Sequence, residues 1–159
     1  AFNIFKSKSQ SEHQLILAGR FAWHTNAIEL AIKNSPFTTD IHTPGYLSED
    51  QAVQYMYAAD AFVYPSLFEG FGVPVLEAMH ADVPVITSNT SSLPEVAGKA
   101  ALLVDPTSSE AIANAMFQIF TKAELKINLI KAARLQRAKF DWETTSKIIY
   151  AQLEKISNK

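Results

Sequence analysis

The chain has 159 residues, 48% of them apolar and 19% charged, and contains no cysteine. That length suits one domain able to bury its own core, and the missing cysteines exclude a disulfide framework and thiolate chemistry. A net charge of −2, with no basic patch interleaved with aromatics, argues against a nucleic-acid partner, and no apolar run reaches the length of a membrane span.

These features lead us to expect a cytoplasmic protein. The small net charge hides an asymmetry. Residues 1–121 carry 5 basic and 12 acidic side chains, whereas residues 122–159 carry 9 basic and 4 acidic ones. A basic helical tail is read either as a solvated helix face or as a surface for anionic lipid or a phosphorylated acceptor, which would give the full-length protein a peripheral membrane contact.

In chain order, Phe2 to Lys8 has helical spacing, and Gln14 to Ala18 reads as a short buried strand ending at Gly19. Asn26 to Lys33 is an amphipathic helix, and Thr38 to Thr43 reads as the next strand, closed by Pro44-Gly45. Ser48 caps a helix over Glu49 to Ala59. A strand at Ala61 to Tyr64, a helix at Val73 to His80 and a strand at Pro84 to Thr87 follow. Ser92-Leu93-Pro94-Glu95 fits a capping box ahead of a short helix to about Ala97. Ala101 to Val104 is a further strand, and Ser108 to Thr121, Ala123 to Lys139 and Trp142 to Ile156 are helical. Strands alternating with helices predict an α/β domain, a Rossmann-like, doubly wound parallel sheet covered on both faces.

The segment Ser66-Leu67-Phe68-Glu69-Gly70-Phe71-Gly72-Val73-Pro74-Val75-Leu76-Glu77-Ala78-Met79 carries the chemistry. A glycine-rich turn feeding a helix start suits phosphate, because unpaired amides and the positive end of the macrodipole converge there. Glu69 stands before that anion site and Glu77 about one helical turn inside it. The layout fits a sugar on one side of a diphosphate and a ribose on the other. Glu77, among Val73, Val75, Leu76 and Met79, is placed near the buried face, where an unpaired carboxylate would need a partner.

Glu69-x7-Glu77 around Gly-Phe-Gly, followed by Val83-Pro84-Val85-Ile86-Thr87-Ser88, resembles the signature of retaining glycosyltransferases of family 4, also called group 1. The resemblance runs from the helix near Phe2 to Phe140-Asp141-Trp142-Glu143. It implies the C-terminal, donor-binding half of a GT-B enzyme, which transfers a hexose from a UDP- or GDP-sugar to a growing glycan or lipid-linked acceptor. Polysaccharide or lipopolysaccharide assembly is the setting it suggests. It further implies that a first strand, an Arg and a Lys that hold the diphosphate, and an acceptor-binding domain lie upstream of Ala1. The isolated fragment is then expected to fold without catalysing transfer. A non-catalytic nucleotide-binding or regulatory module of the same fold is the alternative.

By the same resemblance, Glu69 faces the donor sugar as the catalytic carboxylate, either nucleophile or stabiliser of an oxocarbenium-like charge. The amides of Gly70, Phe71, Gly72 and Val73 hold phosphate, and Glu77 takes the ribose diol. Gly45, Tyr46 and Leu47 line the base, with Tyr46 stacking on it or simply packing. Arg20, at the end of the preceding strand, has a smaller claim on phosphate. No metal or other cofactor is expected: there is no Asp-x-Asp pair, and His13, His24, His42 and His80 lack metal-ligand spacing. Asp82 stands where the family has a glycine ending the motif helix, so it is expected in a left-handed conformation, at a cost of about 1 kcal/mol.

Overall fold

A computed structural model describes residues 1–20 and 26–157; His24 lies outside them. Its elements are α1 (Phe2–Ser9), β1 (Leu15–Ala18), α2 (Asn26–Lys33), β2 (Ile41–Gly45), α3 (Glu49–Ala58), β3 (Phe62–Tyr64), α4 (Val73–His80), β4 (Val85–Ser88), α5 (Leu93–Ala97), β5 (Ala101–Val104), α6 (Ser109–Thr121), α7 (Ala123–Arg137) and α8 (Trp142–Ser157). Among the described residues all strand pairings are parallel. They form two hydrogen-bonded sets, β1 beside β2 and the order β3-β4-β5.

β4 shows why both faces must be covered. Its side chains alternate between faces, and every one of its residues is buried. Val85 faces a cluster with Val75, Met79, Leu93, Val96 and Ala133. Its neighbour Ile86 faces another, with Val104, Ile112, Ile119 and Leu129. Helices α4 and α5 therefore lie on one face and α6 on the other, the doubly wound arrangement. A third cluster sets Phe2 and Phe5 of α1 against Ala113, with Leu15, Phe37 and Ile41 packed around them, joining the first sheet to α6.

The strand expected over Thr38 to Thr43 is shifted. Thr38–Asp40 is a 3-10 turn and the strand begins at Ile41, running through Pro44 to Gly45. The cause is tertiary. Buried Lys6 on α1 pairs with the Asp40 carboxylate at 2.7 Å and donates to the carbonyls of Ser11 at 2.6 Å and His13 at 3.1 Å. All three ammonium protons are thereby engaged, and Asp40 is turned toward α1. Ser48 caps α3 as expected, and Gln51 completes a capping box with it.

The end of α4 uses the residue that departs from the family pattern. Asp82 has φ 56°, the left-handed conformation expected of it. Val83 N–H donates to Ala78 O at 3.0 Å and Asp82 N–H to Met79 O at 3.3 Å, the two bonds of a Schellman motif. Its carboxylate accepts from Arg134 Nε at 3.1 Å and Nη2 at 2.7 Å, and from Arg137 Nη1 at 3.2 Å. Arg137 also donates to the carbonyls of Met79 at 2.6 Å and His80 at 3.1 Å. Arg134 beside it holds the Asp82 carboxyl below its ordinary range. Part of the basic excess in the tail thus serves to seat α7 on the C-terminus of α4, where cations are favoured.

The start of α4 is tied to α5 by close packing. Gly72 has φ 116°, and a Cβ there would stand 2.8 Å from Leu93 Cδ2. Leu93 is fully buried and cannot swing aside. Gly72→Ala is expected to destabilise the fold by about 2 kcal/mol through backbone strain and overpacking, read as a lowered urea midpoint at an unchanged slope.

Candidate functional site

β3 ends at Tyr64, and the chain crosses from it through Pro65–Gly72 into α4. Tyr64 Oη donates to Glu69 Oε1 at 2.5 Å, and Ser66 Oγ donates to the same oxygen at 2.8 Å. Glu69 Oε2 has no hydrogen-bond partner among the described residues. One carboxylate oxygen is therefore saturated and the other open. The Tyr64 hydroxyl first, then that of Ser66, holds the Glu69 carboxyl below its ordinary range. Burial, followed by the bond to Glu69, pushes the Tyr64 hydroxyl up to about 12. At neutral pH this pair is a carboxylate and a neutral phenol. Such a group can accept hydrogen bonds and stabilise positive charge, but it has no proton to give.

The turn that follows displays donors. Among the described residues, the amides of Gly70, Phe71, Gly72 and Val73 donate to no protein acceptor. Pro74 has no N–H, and the first bond back into the turn runs from Val75 N–H to Gly72 O at 3.0 Å. Gly70 has no atom within 4 Å of where a Cβ would lie, so that side of the turn is open. The Phe71 ring, 45% exposed, meets Phe140 edge-on at 5.8 Å between centroids.

Hydroxyl groups downstream hold this loop in place. The backbone pairing of β3 with β4 ends at Tyr64↔Thr87. From there Thr87 Oγ1 donates to Tyr64 O at 2.9 Å and Ser88 Oγ to Ser66 O at 2.5 Å. Glu69 N–H donates to Ser91 Oγ at 3.1 Å, while Ser92 Oγ donates to Glu69 O at 3.0 Å and Phe71 O at 2.8 Å. The capping box expected at Ser92 and Glu95 is not formed. Ser92 does precede α5, but its hydroxyl makes no cap bond because it is committed to the motif loop. Sequence reading missed Tyr64, Ser91 and Ser92. The available signal was the run Ser88-Asn89-Thr90-Ser91-Ser92 at the carboxyl end of a buried strand.

Glu77 is exposed rather than buried, a correction to the expectation that it lies toward the core. α4 buries Val75, Ala78 and Met79, the i, i+3, i+4 set. Val73 and Glu77, also four apart, share the open stripe instead, with Val73 52% exposed. The second acid therefore stands one turn along the helix from the unpaired amides, on its solvent side, with no side-chain bond among the described residues.

The other expected binding residues lie at the end of the second sheet. Gly45 closes β2 with φ 78°, and its carbonyl accepts from Gly19 N–H at 2.9 Å. Tyr46 is 68% exposed, and the Arg20 guanidinium sits over its ring at 4.8 Å from the centroid. Leu47 is half-buried. Among the described residues no hydrogen bond or ring contact joins Gly45, Tyr46 or Leu47 to the Glu69 loop. Of the histidines, His13 lies edge-on to Phe5 and Phe120 and 3.4 Å from Asp60, whereas His42 and His80 are exposed.

Comparison with known proteins bears on the family and the fold. The family described as glycosyl transferases group 1 matches residues 1–136. The chain is 35% identical over 144 residues to the O-antigen chain mannosyltransferase B of Escherichia coli, a match covering 90% of this chain and 38% of that protein. A serotype-specific mannosyltransferase of Escherichia coli is 30% identical over 150 residues, covering 92% of this chain and 18% of that one. Among solved structures, sucrose-phosphate synthase from Thermosynechococcus elongatus superposes with a TM-score of 0.82 at 26% identity, over 97% of this chain and 42% of that one. Anabaena HepE, solved with UDP and glucose, gives a TM-score of 0.83 at 19% identity, over 97% and 44% of the two chains. The chain thus spans about two fifths of the O-antigen mannosyltransferase and of these two structures, and its fold is that of the C-terminal half of a GT-B protein. On the extent of the family match and of the closely similar relative, the chain belongs to the group 1 glycosyltransferases.

Proposed function

We propose that this chain is the donor-binding domain of a retaining hexosyltransferase that takes its sugar from a nucleoside diphosphate donor, UDP- or GDP-linked. The observation that carries the reading is the half-saturated Glu69 carboxylate immediately before a turn of unpaired amides at the start of α4. The mannosyltransferases among its relatives favour mannose as the sugar, and an O-antigen relative favours a glycan or lipid-linked acceptor. Acceptor binding is assigned to the part of the relatives that this chain does not span.

In this scheme the diphosphate lies against the amides of Gly70, Phe71, Gly72 and Val73 and the positive end of α4. Together with the Arg and Lys that the family resemblance places upstream, these donors carry the leaving charge with no metal in the scheme. As the bond from the anomeric carbon to the phosphate oxygen breaks, the open Glu69 oxygen stabilises the positive charge on the ring. The acceptor hydroxyl forms the new bond on the same face, and its proton passes to the departing phosphate. Glu77 accepts the ribose diol from the exposed stripe of α4. A purely regulatory module would need no acid held ionised by two hydroxyls, and this favours the catalytic reading.

Thermal unfolding in the presence of UDP, GDP and ADP tests the donor site. A ligand at ten times its Kd is expected to raise Tm by about 3–6 °C; no shift with any of the three at millimolar concentration rejects the assignment. Glu77→Ala is expected to weaken the best nucleoside diphosphate by about tenfold and to abolish its preference over the 2′-deoxy analogue. Retained discrimination would place the ribose elsewhere.

The Tyr64–Glu69 pair can be followed by ultraviolet titration. The folded hydroxyl keeps its proton up to about 12, against about 10 for a free tyrosine. Its stabilising contribution is therefore present below pH 10 and is lost as pH rises through 12. Glu69→Gln should bring this tyrosine's transition down and Tyr64→Phe should remove it. A titration indifferent to Glu69→Gln would mean that the two groups are not coupled in solution.

A further inference from the structure

Ser92 is committed twice to the motif loop, donating to Glu69 O at 3.0 Å and to Phe71 O at 2.8 Å. A hydroxyl has one proton, so this is a three-centre bond in which both carbonyls converge on one oxygen. In a trans peptide the N–H of the next residue points opposite to the carbonyl, and no cis peptide is present among the described residues. Drawing the Glu69 and Phe71 carbonyls to Ser92 therefore turns the N–H groups of Gly70 and Gly72 to the far side of the loop. Those are two of the amides that find no protein acceptor among the described residues.

The preceding residue works to the same end. Ser91 has φ 54°, a conformation that serine seldom adopts, and it places Ser91 Oγ as the acceptor for Glu69 N–H at 3.1 Å. The backbone of Glu69 is thus held on both sides, its N–H by Ser91 and its carbonyl by Ser92. α5 begins without a side-chain cap, so helix capping does not account for the Ser92 hydroxyl.

We propose that Ser92 is a positioning residue that aims the Gly70 and Gly72 amides at the donor diphosphate. The proposal rests on the donor-site reading for its ligand, but the orientation of the amides can be tested without one. Calorimetry on this chain would compare pyrophosphate and the nucleoside diphosphates with the corresponding nucleosides. Ser92→Ala is expected to weaken pyrophosphate and nucleoside diphosphate by about tenfold, to leave nucleoside binding unchanged, and to be rescued by Ser92→Thr. Parental diphosphate affinity in Ser92→Ala, or an equal loss for nucleoside and diphosphate, would overturn it.

In the free protein, Ser92→Ala should lower the 15N heteronuclear NOE of Gly70 and Gly72 while α4 keeps its values. Unaltered Gly70 and Gly72 signals would overturn the proposal whatever binds. If the NOE falls as expected but the parent chain binds neither pyrophosphate nor any nucleoside diphosphate, the orienting role of Ser92 stands and the donor-site reading is what fails.

Discussion

A parallel ladder ends where its strands diverge, and in this protein the useful backbone begins beyond that point. The last pair between β3 and β4 is Tyr64↔Thr87, yet the loop bearing Glu69 must keep a definite shape for several more residues. Hydroxyl side chains supply the missing rungs. Thr87, Ser88, Ser91 and Ser92 engage Tyr64, Ser66, Glu69 and Phe71 in step along the two chains. A loop held only by its ends would sample many conformers, and each ligand contact would have to overcome that entropy. Here the ordering is done within the fold, before any ligand arrives.

The same arrangement explains the division of labour at Glu69. Tyr64 comes from the strand and Ser66 from the loop, and both bond one carboxylate oxygen. The second oxygen, on a group held ionised, is left without a partner among the described residues. Preorganised charge of this kind needs little rearrangement when charge develops opposite it. Among the described residues, nothing gives Glu77 such support. It is carried on the rigid backbone of α4 and gains its direction from the helix alone, on the stripe it shares with Val73.

Helix α4 is consequently fastened at both ends. At its start, Gly72 allows the turn to lie against Leu93 of α5; at its finish, Asp82 closes a Schellman motif and binds two arginines of α7. Aspartate in the left-handed region is a local cost, offset by the charge partners it gathers. The basic tail, read from sequence as a solvated face or a surface for anions, thereby has a further use inside the domain. α8, by contrast, leaves Trp142, Ile148, Tyr150 and Ile156 exposed along its length.

Much of the architecture was legible in the residues alone, because periodicity and punctuation are local properties. The strand at Ala101–Val104, the amphipathic helix at Asn26–Lys33 and the motif helix at Val73–His80 appear where their patterns put them. The left-handed Asp82 was legible for the same reason, since helix ends have few solutions. What only the folded chain decided are contacts between segments distant in sequence. Lys6 drew Asp40 into a turn that strand propensity did not foretell, and Ser92 left its capping role for carbonyls 21 and 23 residues away. Glu77 came to face water because packing of Val75, Ala78 and Met79 chose the buried side of α4. The chain's own order encodes which groups are present and how they repeat. Which oxygen meets which proton depends on geometry set by the whole core, and no short stretch of residues contains it.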